Sequence, residues 1–409
     1  MSMSYLEAFK EQIYSCLRCG TCRGDCVIES SNVYNVICPI YLVKPFEAYT
    51  PRGKMLLARA YFDGKVPPQS LLDYIFMCTN CNNCTIQCRL TQVPRTDYKT
   101  KQLTEERLLD PTEIVEAFKA ELALKGVQPE KHKRFAEWGK KEHNPYIEPH
   151  EKRFAWLPEE IKKKLPKQAK YVYFVGCTSS YRTTEIAKAT VELFEKLGID
   201  YTFIDEWCCG SPYWRTGSIS IAQEMARHNI EEIEKTGAEY VITSCAGCYR
   251  ALKVDYSKRV PDQKLNAKVI HTAELLHELV KAGKLKFKEA ASIRVKAAFH
   301  DPCHTGRHIG LYDVPREVAS AIPGVKLIEM LRSREGSLCC GSGGGVKSAY
   351  PDIALKLAEM RIKEALEVGA DHLLSICPFC KRNFDDANKT LGNPIKVIDL
   401  VELVLNNLA

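Results

Sequence analysis

Ten cysteines from position 177 onward stand in one arrangement used twice. A lone cysteine is followed by an adjacent pair and a glycine, and then by a Cys-x-x-Cys. The first copy is Cys177, Cys208-Cys209-Gly210, Cys245 and Cys248; the second is Cys303, Cys339-Cys340-Gly341, Cys377 and Cys380. Five thiols in matching order are more than one metal ion needs. In a reducing compartment, clustered cysteines serve metals or catalysis rather than disulfide staples. The chemistry expected is iron–sulfur redox chemistry, with a substrate reacting at the clusters themselves.

A second set lies near the N-terminus. Cys16, Cys19 and Cys22 are followed by Cys26, and Cys78, Cys81 and Cys84 by Cys88, in the same spacing. Triplets of this kind are the two-cluster ferredoxin run, in which three thiolates hold three corners of a cubane and the fourth comes from the other run. Zinc would use pairs of Cys-x-x-Cys instead. The segment therefore implies two cubane 4Fe–4S clusters.

The elements that must carry these sites follow from composition and patterning. With 409 residues and 46.3 kDa, two or three domains are expected. Residues 1–100 form the cluster domain, mainly α-helical and ferredoxin-like. Residues 101–168 lack cysteine, are rich in Lys and Glu, and read as a helical connector with helices over 113–125 and 158–164. From residue 169 strands and helices alternate. Strands are expected over 171–176, 201–204 and 240–244, then over 295–300, 325–329 and 372–376, with helices over 184–197 and 219–235 between them. The alternation argues for α/β lobes with parallel sheets, whose strand ends carry the cysteines. Equivalent cysteines, and the segments opening at Lys268-Val-Ile and Lys396-Val-Ile, are about 130 residues apart, so residues 169–285 and 286–409 are duplicated lobes. Two such lobes are expected to face each other about a pseudo-twofold axis.

A net charge of +7 without an aromatic-interleaved basic stripe argues against nucleic acid and for an anionic small substrate or an acidic partner. No apolar stretch approaches the ~20 residues of a membrane span, and residues 1–10 lack a signal-peptide pattern. A cytoplasmic location is expected, peripheral to a membrane only through a partner subunit. Pro51-Arg52-Gly53-Lys54 lacks P-loop spacing and reads as a turn opening a helix over 55–61.

On these residues the chain resembles heterodisulfide-reductase and glycolate-oxidase iron–sulfur subunits. The double Cys-Cys-Gly pattern is similar to their CCG domain, and Cys38-Pro39-Ile40-Tyr41 to the position where their fourth cysteine precedes proline and an aromatic. The resemblance implies Cys16, Cys19, Cys22 and Cys88 for one cubane, and Cys78, Cys81, Cys84 and Cys38 for the other, with Cys26 as the alternative to Cys38. It further implies two non-cubane 4Fe–4S clusters, one on each five-cysteine set, between which a small-molecule disulfide such as coenzyme M–coenzyme B is cleaved. Gly210, Gly341 and Gly343 would let the backbone approach these clusters. Cations near the cysteines would stabilise thiolate products, and the candidates are His304, Arg307, His308, Lys381, Arg382 and Arg215. Electrons would come from a separate partner chain: a b-type cytochrome, a flavoprotein or a ferredoxin-like protein. The competing expectation is an electron-transfer component of a hydroxy-acid dehydrogenase, facing a quinone or cytochrome. A purely structural scaffold is disfavoured because both ligand sets are complete.

Overall fold

The computed structural model describes residues 4–24, 36–92, 94–96, 103–290 and 294–409. Its chain divides into two units. Unit 1 holds Met1–Lys133, Pro212–Ile219 and Gly341–Leu357; unit 2 holds Arg134–Ser211, Ser220–Cys340 and Ala358–Ala409. The cysteine-free stretch is thus shared between units, and two short segments after the Cys-Cys pairs belong to unit 1.

Unit 1 is built from short helices, several opened by proline, whose missing N–H is no loss at the first helical position. Pro39–Val43, Pro51–Phe62 and Pro111–Leu124 all start this way. Thr50 caps the second, its hydroxyl accepting from Gly53 N at 3.1 Å. Asp110 caps the third, accepting from Thr112 N and Glu113 N at 3.0 and 3.1 Å. Such caps contribute about 1 kcal/mol each. Pro51-Arg52-Gly53-Lys54 is therefore the first turn of a helix that begins before the expected residue 55. Met55, Ala58, Ile75, Phe76, Ile114, Phe118 and Leu122 form the core of the unit. A hairpin of β1 (Pro94–Thr96) and β2 (Leu103–Arg107) completes it.

Unit 2 contains two four-stranded parallel sheets. The first comprises β3 (Tyr171–Tyr173), β4 (Tyr201–Thr202), β5 (Tyr240–Thr243) and β6 (Lys268–His271), in the order β4-β3-β5-β6. The second comprises β7 (Val295–Phe299), β8 (Val325–Ile328), β9 (His372–Ser375) and β10 (Lys396–Asp399), in the order β8-β7-β9-β10. Each reproduces the expected strand positions, cut short where the chain turns into a cysteine loop. The helix expected over 184–197 is Thr184–Leu197, closed by Gly198 in the left-handed conformation, and that over 219–235 is Ile219–Thr236.

One core runs through both sheets: Tyr173, Val175, Ile242, Ile270, Phe299, Leu374 and Ile398 meet in it. Burying each large apolar side chain contributes about 1.5–3 kcal/mol. The helices pair reciprocally. Thr184–Leu197, after the first lone cysteine, packs on Leu400–Asn407, which closes the second lobe; Asp313–Ser320, after the second lone cysteine, packs on Thr272–Lys281, which closes the first. Both closing helices carry a capping box at the same repeat position, His271 with Glu274 and Asp399 with Glu402.

Candidate metal centres

In unit 1, Cys38 caps Pro39–Val43, Cys78 and Cys81 lie on the turn between Leu72–Phe76 and Asn83–Gln87, and Cys84 is in the first turn of the latter. Asn80 and Asn82 take φ of 53° and 66°, which coils that turn. These four cysteines line one small cavity with Pro39, Pro51 and Lys54. Burial pushes the Cys38 thiol up to about 11, opposed by Lys54. The second group gathers around Cys22, whose thiol is raised by burial and by the nearby Cys84, Cys38, Cys16 and Cys88. Cys16 in turn senses Cys88 and Cys19. Cys26 lies outside the described residues.

The buried Lys119 ties the Cys78 turn to the triple glycine. Its Nζ donates to Cys78 O and Asn80 Oδ1, both at 2.7 Å, and to Gly344 O at 2.9 Å. Burial lowers its ammonium to about 8. A Cβ on Gly343 would lie 2.5 Å from Thr79 O, and one on Gly344 2.1 Å from Cys78 O. The close approach these residues permit is to the backbone of the Cys78 turn. Gly341 likewise packs on its own following helix, where a Cβ would stand 2.7 Å from Ala354 O. Gly210 has φ of +81° directly after the first pair.

In unit 2 both sheets reverse strand order at one point, between β3 and β5 and between β7 and β9. Such switch points open a crevice at the carboxyl ends of the strands. Cys177 and Cys245 follow β3 and β5; Cys303 and Cys377 follow β7 and β9. Neighbouring thiols then lie close enough to shift one another's ionisation. Cys177 and Cys208 do so, as do Cys208 and Cys209, Cys209 and Cys248, and Cys248 and Cys245. Cys245 and Cys377 do so between the two sheets, followed by Cys377 and Cys380, Cys380 and Cys340, and Cys340 and Cys339. The tenth cysteine, Cys303, is half-buried. So many buried thiols side by side cannot ionise together without cations to compensate them. Soft thiolate donors in this number fit iron–sulfur clusters.

The residues around the two sets differ. At the first, Arg153 Nη2 lies 3.4 Å from Cys177 Sγ, while its Nη1 donates to Glu206 at 2.7 Å. Glu206 also accepts from Val175 N and Gly176 N, and burial pushes its carboxyl up to about 7. At the second, His300 is grouped with Cys340 and Cys380, their ligand atoms within 4.8 Å of one another. Arg361 Nε donates to His300 Nδ1 at 3.3 Å, which leaves the ring proton on Nε2. The nearby Cys339, Cys380 and His300 hold the Cys340 thiol well below its usual value. The residue at the His300 position of the first lobe is Phe174, fully buried.

The expected cations have diverse surroundings. His304 and His308 come together: Nη1 of the buried Arg250 lies 3.4 Å from His304 Nε2 and 3.3 Å from His308 Nε2. A guanidinium only donates, so both Nε2 atoms accept and each neutral ring carries its proton on Nδ1. A Cβ on Gly247 would stand 3.8 Å from both Cys245 Sγ and His304 Nδ1, so that proton faces the first Cys-x-x-Cys turn. Arg307 is held elsewhere, donating to Glu335 O and Ser337 O at 3.2 and 2.7 Å and bracing the approach to Cys339. Lys381 pairs with Glu185 and Asp385, both at 3.0 Å. Arg382 stacks on Tyr146, 5.2 Å from the ring centroid. Arg215 is buried in unit 1, 3.5 Å from Glu116. Arg250, His300, Arg153 and Tyr146 were not singled out by the sequence. Arg250 had one available signal, its position two residues beyond a Cys-x-x-Cys, matching Arg382.

Family models match as a cysteine-rich CCG domain over residues 171–253 and 297–385, and a 4Fe-4S dicluster domain over residues 12–91. Over 96% of its length the chain is 38% identical to the D-type component of the dihydromethanophenazine:CoB–CoM heterodisulfide reductase of Methanosarcina barkeri, covering 93% of that protein. The protein of the same name from Methanosarcina acetivorans matches with the same identity and coverage. An EtfAB:quinone oxidoreductase of Syntrophomonas wolfei is 28% identical over 95% of this chain and 57% of that protein.

Proposed function

The chain belongs to the family of D-type heterodisulfide reductase components, iron–sulfur oxidoreductases that reduce a disulfide, and we propose that its own substrate is the coenzyme M–coenzyme B heterodisulfide. The observation that carries this reading is the gathering of cysteines from both sheets at their strand reversals, most of them buried, with Cys245 and Cys377 close enough to shift one another's ionisation. It supplies two complete five-cysteine sets at adjoining crevices.

In this reading Cys16, Cys19, Cys22 and Cys88 hold one cubane, and Cys38, Cys78, Cys81 and Cys84 the other; the common cavity of the last four supports the choice of Cys38. Cys177, Cys208, Cys209, Cys245 and Cys248 hold one non-cubane cluster, and Cys303, Cys339, Cys340, Cys377 and Cys380 the second. When bound, these clusters supply electrons one at a time. The organisation is a cubane domain over 1–100, a connector over 101–168 and two lobes, 169–285 and 286–409, related by a pseudo-twofold axis; the reciprocal helix pairing supports that relation.

The reaction takes two electrons and two protons and gives two thiols. His304 turns its Nδ1–H toward the Cys245 turn, where it can hydrogen-bond a departing thiolate while the two protons of the reaction come from solvent. Arg250 keeps that tautomer in place, and His308 shares the same guanidinium. Electrons enter from a partner chain. Among the described residues no helix is long and apolar enough to cross a membrane, so a membrane donor would be a separate chain. A second reading, electron transfer toward a quinone, draws support from the quinone oxidoreductase that shares 95% of this chain.

Anaerobic assay of the purified chain with a reduced viologen dye separates the two. The account expects formation of coenzyme M and coenzyme B thiols from the heterodisulfide; dye-driven quinone reduction with no thiol release would replace it with the second reading.

A further inference from the structure

The duplication places an arginine two residues after each Cys-x-x-Cys, Arg250 and Arg382. Arg250 reaches the segment that follows the lone cysteine of the opposite lobe directly, and Arg382 reaches it through Tyr146. Arg250 meets His304 and His308 beyond Cys303. Arg382 meets Tyr146, whose hydroxyl lies 2.8 Å from Thr178 Oγ1, directly after Cys177. In repeat register Thr178 stands where His304 stands, and Arg182 where His308 stands. The two places are therefore counterparts, and their contents differ. At Arg382 the phenol of Tyr146 fills the space, stacked between Arg382 and Arg182, the latter 4.8 Å from its centroid. Cys177 beside it is 6% exposed. At Arg250 stand two half-buried imidazoles, and Cys303 is half-buried rather than sealed.

Around Arg250 the carboxylate of Asp255 is shared with Arg259, at 3.8 and 3.3 Å. A guanidinium with a shared carboxylate and neutral imidazoles is suited to an incoming oxyanion, which it can hold with charge-assisted hydrogen bonds.

We propose that the Arg250 place, with His304 and His308, receives an oxyanion carried by one half of the disulfide, and that Tyr146 closes its counterpart at Arg382. Resting on the disulfide-reductase reading above, this gives the substrate a single orientation, its anionic end entering beside Cys303.

The test is binding of 2-mercaptoethanesulfonate and of uncharged 2-mercaptoethanol to the iron-loaded full chain, by anaerobic titration calorimetry, with disulfide turnover measured alongside. The expectation for wild type is one sulfonate site. Arg250→Gln weakens sulfonate binding roughly ten- to hundredfold, the loss of a charge-assisted bond, and leaves mercaptoethanol binding within about twofold. Arg382→Gln leaves both unchanged, and Tyr146→Ala raises the sulfonate stoichiometry toward two. Should Arg250→Gln fail to retain iron, Arg250→Lys against Arg382→Lys carries the same comparison, with weakening expected only in the first. Equal weakening in the Arg250 and Arg382 variants, or two sites in wild type, would overturn the proposal. Normal turnover with unaltered sulfonate binding in Arg250→Gln sinks this inference and spares the reductase reading; Arg250-dependent binding without turnover does the reverse.

Discussion

The two lobes are built to one plan and finished differently. Both order their strands alike, place the lone cysteine and the Cys-x-x-Cys at the strand reversal, and close with a capped helix. Yet Cys177 meets the Arg153 guanidinium where the second lobe sets a neutral imidazole, His300, against Cys340. Phe174 occupies the His300 position, Thr178 the His304 position, and Tyr146 fills what Arg250 and two histidines line on the other side. Duplication preserved the sulfur scaffold, and the residues that touch it differ between the lobes. Two equal clusters would need no such differences; an entry side and a sealed side would.

Substitution at the sulfur junction should have the largest effect and tests what the lobes share. Cys245→Ala or Cys377→Ala each removes one ligand from one set, and each should lower iron by about four atoms per chain while abolishing disulfide turnover. A loss of iron from only one lobe's cysteine would show that the lobes are not equivalent metal sites.

Next come the buried charges that differ between lobes. Arg153→Met leaves Glu206 buried without its guanidinium, whereas after Arg361→Met the carboxylate of Glu364 keeps Arg332 as a partner, so the first should cost more. Removing one partner of a buried pair costs about 3–5 kcal/mol, read as a fall in thermal midpoint. Arg361→Met should also change the spectrum of one cluster by freeing His300 Nδ1, and Arg153→Met should change that of the other.

His300→Phe converts the second lobe to the pattern of the first. Iron content should hold, since ten cysteines remain, while the midpoint potential of one cluster falls, because hydrogen bonds to cluster sulfurs set that potential. Unchanged redox titrations would show that the imidazole only packs.

The smallest effect concerns the helix caps. Burial lowers the His271 imidazole to about 4 from an ordinary 6.5. The unfolded ring takes up a proton below about pH 6.5, and the folded ring does not until about pH 4. Acidification through that window therefore favours unfolding, by up to roughly 3 kcal/mol. His271→Asn should flatten this part of the stability profile; an unchanged acid slope would place the loss in other groups.

Periodicity and cysteine spacing made the strands, the helix Thr184–Leu197 and the duplication legible in the sequence, because these depend on local pattern. The groups facing the sulfurs were legible only in part. Closeness in sequence to a cysteine marked Arg307, Lys381 and Arg215 as well as His304, but backbone carbonyls, Glu185 with Asp385, and Glu116 engage the first three. The contact of Arg250 with His304 spans 54 residues and joins two lobes, so no local pattern announces it. Gly343 read as an approach to a cluster, yet its neighbour is the carbonyl of Thr79, set by tertiary packing.

The central claim is that both five-cysteine sets hold clusters that work together on a disulfide. Anaerobic purification with iron counting, followed by EPR on oxidation in the presence of coenzyme M, tests it most directly. Full occupancy predicts about 16 irons per chain and a paramagnetic signal that appears only with the thiol. About 8 irons and no thiol-dependent signal would contradict it, leaving the two cubanes as the chain's only redox centres.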